Sequence, residues 1–150
     1  AEVIRLGVSQ ISGGSRTSVG GYADGQEVNR DDNQNSAQFD VSDTRTLDEV
    51  VNWLLEMGYI PSFCTACYRE GRTGDRFMRL VKSGAIANVC HPNALMTLKE
   101  YLEDYASEDT RKKGEALIAS EVPKLQNEKV RALVEQHLTE LHDGQRDFRF

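Results

Sequence analysis

The sequence predicts a mainly α domain preceded by one lone strand and a long polar loop. Three observations carry this. From Thr46 onward, apolar residues recur at helical spacing in successive blocks. Only Val3–Ser12 shows a period of two. The blocks are punctuated by Ser, Thr and Asn at their starts and by Gly or Pro at their ends.

In VIRLGVSQIS, Ile4, Leu6 and Val8 alternate with Arg5, Gly7 and Ser9, which predicts a strand with one apolar face. The glycine- and serine-rich GGSRTSVGGYADG that follows spells a loop, and polar sequence continues to about Ser42. A structureless connection of that length is unusual inside a compact domain. A single strand also has no sheet to join here, so the chain reads as the C-terminal piece of something larger. Thr46 and Glu49 have capping-box spacing, and Leu47, Val50, Val51, Leu54 and Leu55 share one helical face. Gly58 should stop that helix, and Pro61 should hold Ile60 extended. A short helix is expected over 73–82, with Phe77, Leu80 and Val81 as its buried stripe and Gly84 at its end. Pro92 suits the first turn of a new helix whose inner face is Leu95, Leu98, Leu102 and Tyr105. Ser107 should cap the next, which carries Leu117, Ile118 and Val122 and breaks at Pro123. Asn127 should cap the last, with Val130, Leu133, Val134, His137, Leu138 and Leu141 as its stripe before Gly144. The tail QRDFRF has no legible role, and no internal repeat occurs.

At 150 residues, 39% hydrophobic and 28% charged, the chain is long enough to bury a real core. Its net charge of −6 argues against a nucleic-acid surface, which needs clustered excess basic charge. No apolar run approaches the ~18 residues of a membrane span. The opening AEVIRLGVS lacks the pattern of a secretory signal. Three cysteines, an odd number, fit metal or redox chemistry in a reducing cytoplasm better than a disulfide framework.

Those cysteines form Cys-x2-Cys-x22-Cys: Cys64 and Cys67 in SFCTACYREGRTGDRF, then Cys90. A tight loop can turn two thiolates three residues apart toward one metal centre, and a third from a separate segment can close on it. Four readings are open. A thioredoxin-like redox pair would want the motif opening a helix after a buried strand, whereas Pro61 and REGRTG flank it here. A structural zinc needs a fourth ligand. His91 adjoins Cys90, and neighbouring side chains point apart. His137 lies on an apolar stripe, and His142 suits a cation at a helix C-terminus. Three unrelated buried cysteines would not explain the polar, glycine-rich setting of the first two. A 4Fe–4S cluster on three thiolates, with one iron left for an outside ligand, is the reading that requires three. Arg69, Arg72, Arg76 and Arg79 gather beside the thiols in an acidic chain and would offset a cluster's negative charge.

The stretches GVSQISGGSRTSVGGY, FDVSDTRTLDEVVNWLLEMGYIPSFCTACYREGRTGDRFM, CHPNALMTLKEYLEDYAS and RDFRF resemble the C-terminal part of the tyrosine-cleaving radical-SAM maturases of iron-only hydrogenases, the HydG family. The resemblance covers essentially the whole chain. The related tyrosine lyases of thiazole biosynthesis, the ThiH family, share the strand, the loop and SDTRTLDEV but lack the cysteine extension. The resemblance implies a division into residues 1–22, the last strand and loop of a (β/α)8 radical-SAM barrel; 23–43, a linker; and 44–150, a helical domain for an auxiliary 4Fe–4S cluster. It implies that Cys64, Cys67 and Cys90 ligate that cluster, beside an open iron site with an additional iron and a cysteine ligand. Ser15 and Arg16 would lie near the substrate cavity, Arg16 suited to an anion such as a carboxylate. In the full enzyme, SAM and a second 4Fe–4S cluster act in the barrel on a Cys-x3-Cys-x2-Cys motif. Tyrosine there yields p-cresol and dehydroglycine, then carbon monoxide and cyanide, and an iron–carbonyl–cyanide unit goes to hydrogenase assembly. The implied partners are those diatomics, cysteine-bound iron, a maturation scaffold and companion maturases, with no nucleic acid and no membrane. The Cys-x3-Cys-x2-Cys motif is missing from these residues, so this chain alone should neither use SAM nor cleave tyrosine. The competing expectation is a zinc-stapled helical interaction module without catalysis.

Overall fold

A computed structural model describes residues 2–6, 10–15 and 43–150. The elements are α1 (Glu2–Arg5), α2 (Leu47–Glu56), α3 (Ala66–Arg69), α4 (Gly74–Lys82), α5 (Ile86–Asp104), α6 (Glu108–Glu121), a 3-10 turn (Val122–Lys124) and α7 (Glu128–His142). Two compact units divide the chain, Ala1–Val50 and Val51–Phe150.

In the first unit the expected opening strand is corrected where it is described. Glu2–Arg5 form one helical turn, closed by the Leu6 N–H donating to the Glu2 carbonyl. An extended segment needs a neighbouring strand to take its main-chain bonds, and no strand occurs among the described residues. The helical turn meets part of that need locally. Residues 7–9 and 16–42, which include Arg16 and nearly all of the expected linker, lie outside the described residues. Ser15 is half-buried in an irregular segment. The capping box forms as the sequence predicts: the Glu49 N–H donates to Thr46 Oγ1, and the Thr46 N–H to Glu49 Oε2.

The second unit is built around α5. Leu95, Met96, Leu98 and Leu102 are fully buried, and the core that Leu95, Leu98 and Leu102 anchor takes in Val51, Leu55, Tyr101, Ile118, Val122, Leu125 and Val134. Burying each large aliphatic side chain contributes about 1.5–3 kcal/mol. Helix α5 packs on both α6 and α7, so it is buried on more than the single face its sequence suggests. Two polar residues are buried with it, Asn93 and Lys99.

The caps fall where the sequence places them. Ser107 Oγ accepts from the Thr110 N–H, and Asn127 Oδ1 accepts from the N–H groups of Lys129 and Val130. Pro123 ends α6 in the 3-10 turn. Four expectations are corrected. Helix α5 begins at Ile86, so Pro92 sits inside it, buried, where its ring cannot donate the helical bond to Asn88. Tyr105 is 76% exposed because the helix has ended, and Tyr101 is the buried aromatic. Leu133 is exposed on α7, since only part of its stripe faces the core. On α4, Phe77, Leu80 and Val81 share the inner face but are half-buried, and no residue of α4 is fully buried.

Lys99 bonds to both Glu103 and Glu115. Burial disfavours its charge, but the two carboxylates outweigh that and hold its pKa above the ordinary lysine value. The Lys99 hydrogen bond, against desolvation and helped by His142, holds the Glu103 carboxyl below the ordinary range. A depressed carboxyl stabilises the fold above its unfolded pKa, and that contribution is lost as pH falls through the folded value. A raised lysine does the reverse: its contribution is present below the unfolded pKa and lost as pH rises through the folded one. The melting temperature should therefore fall on acidification below about pH 4. In Lys99→Met this acid loss should be smaller, though not absent, because Asp104 and Asp109 are depressed by Arg146 and Lys113. Thermal melts of both proteins between pH 7 and 3 measure it; identical acid limbs would refute the assignment.

Candidate metal centre

Cys64 lies in the loop after Pro61, Cys67 in α3 and Cys90 in α5, all half-buried free thiols. The loop is pinned to α5 just before Cys64. The Phe63 ring stacks on Tyr101 at 4.9 Å, and the Phe63 N–H donates to Thr97 Oγ1. Buried Ala66 seats the short α3. The Arg72 N–H returns to the Cys67 carbonyl at 2.7 Å and the Gly71 N–H to Tyr68, a reversal that requires the left-handed backbone of Gly71, φ +61. Gly71, the first glycine of REGRTG, is thus what bends the chain back over Cys67.

The fold brings Cys90 to this loop. Burial raises the Cys90 thiol pKa first, and the thiolates of Cys67 and Cys64 raise it further by repulsion. The Arg72 guanidinium pulls it the other way. Cys90 thus lies within electrostatic range of the other two cysteines. Among the described residues, however, no three His, Cys, Asp or Glu side chains form a group that could hold a metal ion. Sulfurs about 2.3 Å from one zinc must crowd within roughly 4 Å of each other. Thiolates on separate irons of a cluster stand further apart.

The histidines go elsewhere. His91 Nε2 lies 3.2 Å from Glu121 Oε2, close enough for a charge contact but not aligned for a hydrogen bond. His137 stacks on Phe148 and meets Glu140, and His142 meets Glu103. Each has a carboxylate neighbour, and a histidine at the thiols is not provided.

The four arginines also separate. Arg69 is paired with Asp147 at the surface, and Arg76 and Arg79 are exposed on α4. Arg72 alone is drawn in beside the thiols. Its Nη2 donates to the Phe150 carbonyl at 2.9 Å, and its Nε is buried with no hydrogen-bond partner among the described residues.

The tail is what sequence reading missed. The Phe150 N–H donates to Asn93 Oδ1 at 2.9 Å, and Asn93 stands one turn beyond Cys90 on α5. A hydrogen-bonded chain thus runs from the Cys67 carbonyl through Arg72 and Phe150 to Asn93. Asp147 and Arg149 reach the same loop at Arg69 and Glu70, and Arg146 grips Asp104. A buried asparagine could have hinted at a partner, but nothing local names Phe150. A depression of 260 Å³ against Lys99, Ile118 and Leu138 includes none of the cysteines in its walls.

Fold and site together define a helical domain that presents three thiols from two segments, tied together by the tail. The crystal structure of HydG, a maturase of the FeFe-hydrogenase, matches this chain at 48% identity with a TM-score of 0.87. The match covers 99% of this chain and 31% of that one, so the chain spans under a third of HydG. The chain is thus HydG-like over its length, and the resemblance read from its motifs, to the C-terminal part of such a maturase, is borne out. No protein-family model matches the chain, and no curated protein matches it. Among the described residues, no helix is long and apolar enough to cross a membrane.

Proposed function

We propose that this chain is the auxiliary-cluster domain of a radical-SAM hydrogenase maturase, with Cys64, Cys67 and Cys90 holding a 4Fe–4S cluster. The likeness to HydG, over a sequence that contains Cys-x2-Cys-x22-Cys, carries this reading. Three observations support the fit. Cys90 lies within electrostatic range of Cys64 and Cys67, the histidines are committed to carboxylates, and a buried cationic N–H on Arg72 lacks an acceptor among the described residues. Bound there, the cluster would supply an iron with one position free for an outside ligand. The protein's part is to fix three thiolates on a loop and a helix and to offset their charge with Arg72.

By the same resemblance, the larger protein is a cytoplasmic tyrosine lyase whose products become carbon monoxide, cyanide and an iron–carbonyl–cyanide–cysteine unit. Ser15 and Arg16 would approach its substrate cavity, and a maturation scaffold and companion maturases would receive the product. SAM and its own cluster belong to the barrel, so the chain alone is expected to be inactive.

Anaerobic reconstitution with iron and sulfide tests the reading. About four irons and four acid-labile sulfides per chain are expected, with brown absorbance. One zinc per chain and no sulfide would overturn it in favour of a zinc-stapled helical module.

A further inference from the structure

We infer that Arg72 Nε donates a hydrogen bond to a sulfur of the cluster held by Cys64, Cys67 and Cys90, an inference that rests on that reading of the thiols. The argument starts from an unmet donor. Buried N–H groups are nearly always paired, and one on a charged guanidinium is costly to leave bare. Arg72 Nε is buried away from solvent and finds no acceptor among the described residues. Among the described residues it shares that condition only with His91 Nε2, and that atom lies 3.2 Å from a carboxylate oxygen of Glu121. Arg72 therefore lacks something that the site would provide.

Its surroundings say what. The Arg72 main chain is bonded to Cys67, and its Nη2 is held by Phe150, whose own N–H is held by Asn93 on the helix of Cys90. With backbone and Nη2 both fixed, Nε is left to serve a group between the two cysteine segments. A planar, permanently charged fork suits this double duty, one edge to a carbonyl and one to an anionic sulfur. Asn93 and the tail become positioning residues that keep the fork from turning.

Hydrogen bonds to cluster sulfurs stabilise the reduced, more negative form and raise the reduction potential. The test compares the unaltered chain with Arg72→Lys and Arg72→Met after anaerobic reconstitution, with iron and sulfide counted first. Arginine labelled with 15N should give a weak nitrogen coupling in pulsed EPR of the reduced cluster, lost in Arg72→Lys. The midpoint potential of Arg72→Met should fall by at least a tenfold change in the redox equilibrium, about 59 mV for one electron. Arg72→Lys, keeping charge without the directed Nε, should fall between. A full cluster with no arginine coupling and an unmoved potential in both variants would overturn the inference and leave the cluster reading standing. An unaltered chain that binds no iron and sulfide would overturn both. Should Arg72→Met not hold a cluster, the label in the unaltered chain and the Lys variant decide the matter.

Discussion

Alanine at Cys64, Cys67 or Cys90 should each abolish the brown absorbance of the reconstituted chain, whereas His91→Ala should leave it intact. Three ligands leave no redundancy: removing one thiolate frees a second iron, and no histidine stands by to replace it, since His91 faces Glu121. Loss of cluster must be separated from loss of fold. All three cysteines are half-buried, and none belongs to the apolar core. Each substitution should therefore change the stability of the metal-free chain by less than about 1 kcal/mol. Circular dichroism melts of the metal-free variants establish that, and iron and sulfide counts then isolate the ligand effect. If His91→Ala also emptied the site, a fourth protein ligand would exist and the free iron position would be wrong.

The largest effect on folding is expected at Gly114, where valine should lower unfolding stability by about 3 kcal/mol. Gly114 is buried in α6 against α5. A Cβ added there would lie 2.5 Å from Leu102 Cδ1 and 2.6 Å from Cδ2. Leu102 is fully buried and packed in the core, so it has no open space to swing into. The helix tolerates the backbone cost of glycine, about 1 kcal/mol against alanine, because it lets α6 approach α5. Removing the obstructing side chain should relieve the clash. Gly114→Val/Leu102→Ala is then expected to be less destabilised than the sum of its single variants by at least ~1 kcal/mol in urea melts. Strict additivity would show that the close approach is not what Gly114 provides.

Much of the architecture was legible because helix signals are local. Thr46 with Glu49, Ser107 with Thr110 and Asn127 with Val130 close bonds over three residues, so their partners stand in view along the chain. Errors came where a neighbour overrode the local pattern. Pro92 looked like a first turn because proline suits that place, but the helix runs back through Cys90 to Ile86, over residues that are half-buried or exposed, and Pro92 opens only its buried part. Val3–Ser12 alternated like a strand, yet at residues 2–5 the chain coils into a turn with no described strand to bond.

The sequence by itself determined the caps of α6 and α7 and offered three cysteines at a spacing suited to metal chemistry. Cysteine spacing and cap motifs are written over a few residues, and a thiol's affinity for iron belongs to its own atoms. Only the tertiary structure decided which arginine is tied to the tail beside Cys67, where the histidines go and what the tail touches. Arg72 meets Phe150 across 78 residues and Phe150 meets Asn93 across 57. Contacts of that range leave no local period, and they exist only once the core has packed α5 against its neighbours and set the tail down beside the cysteine loop.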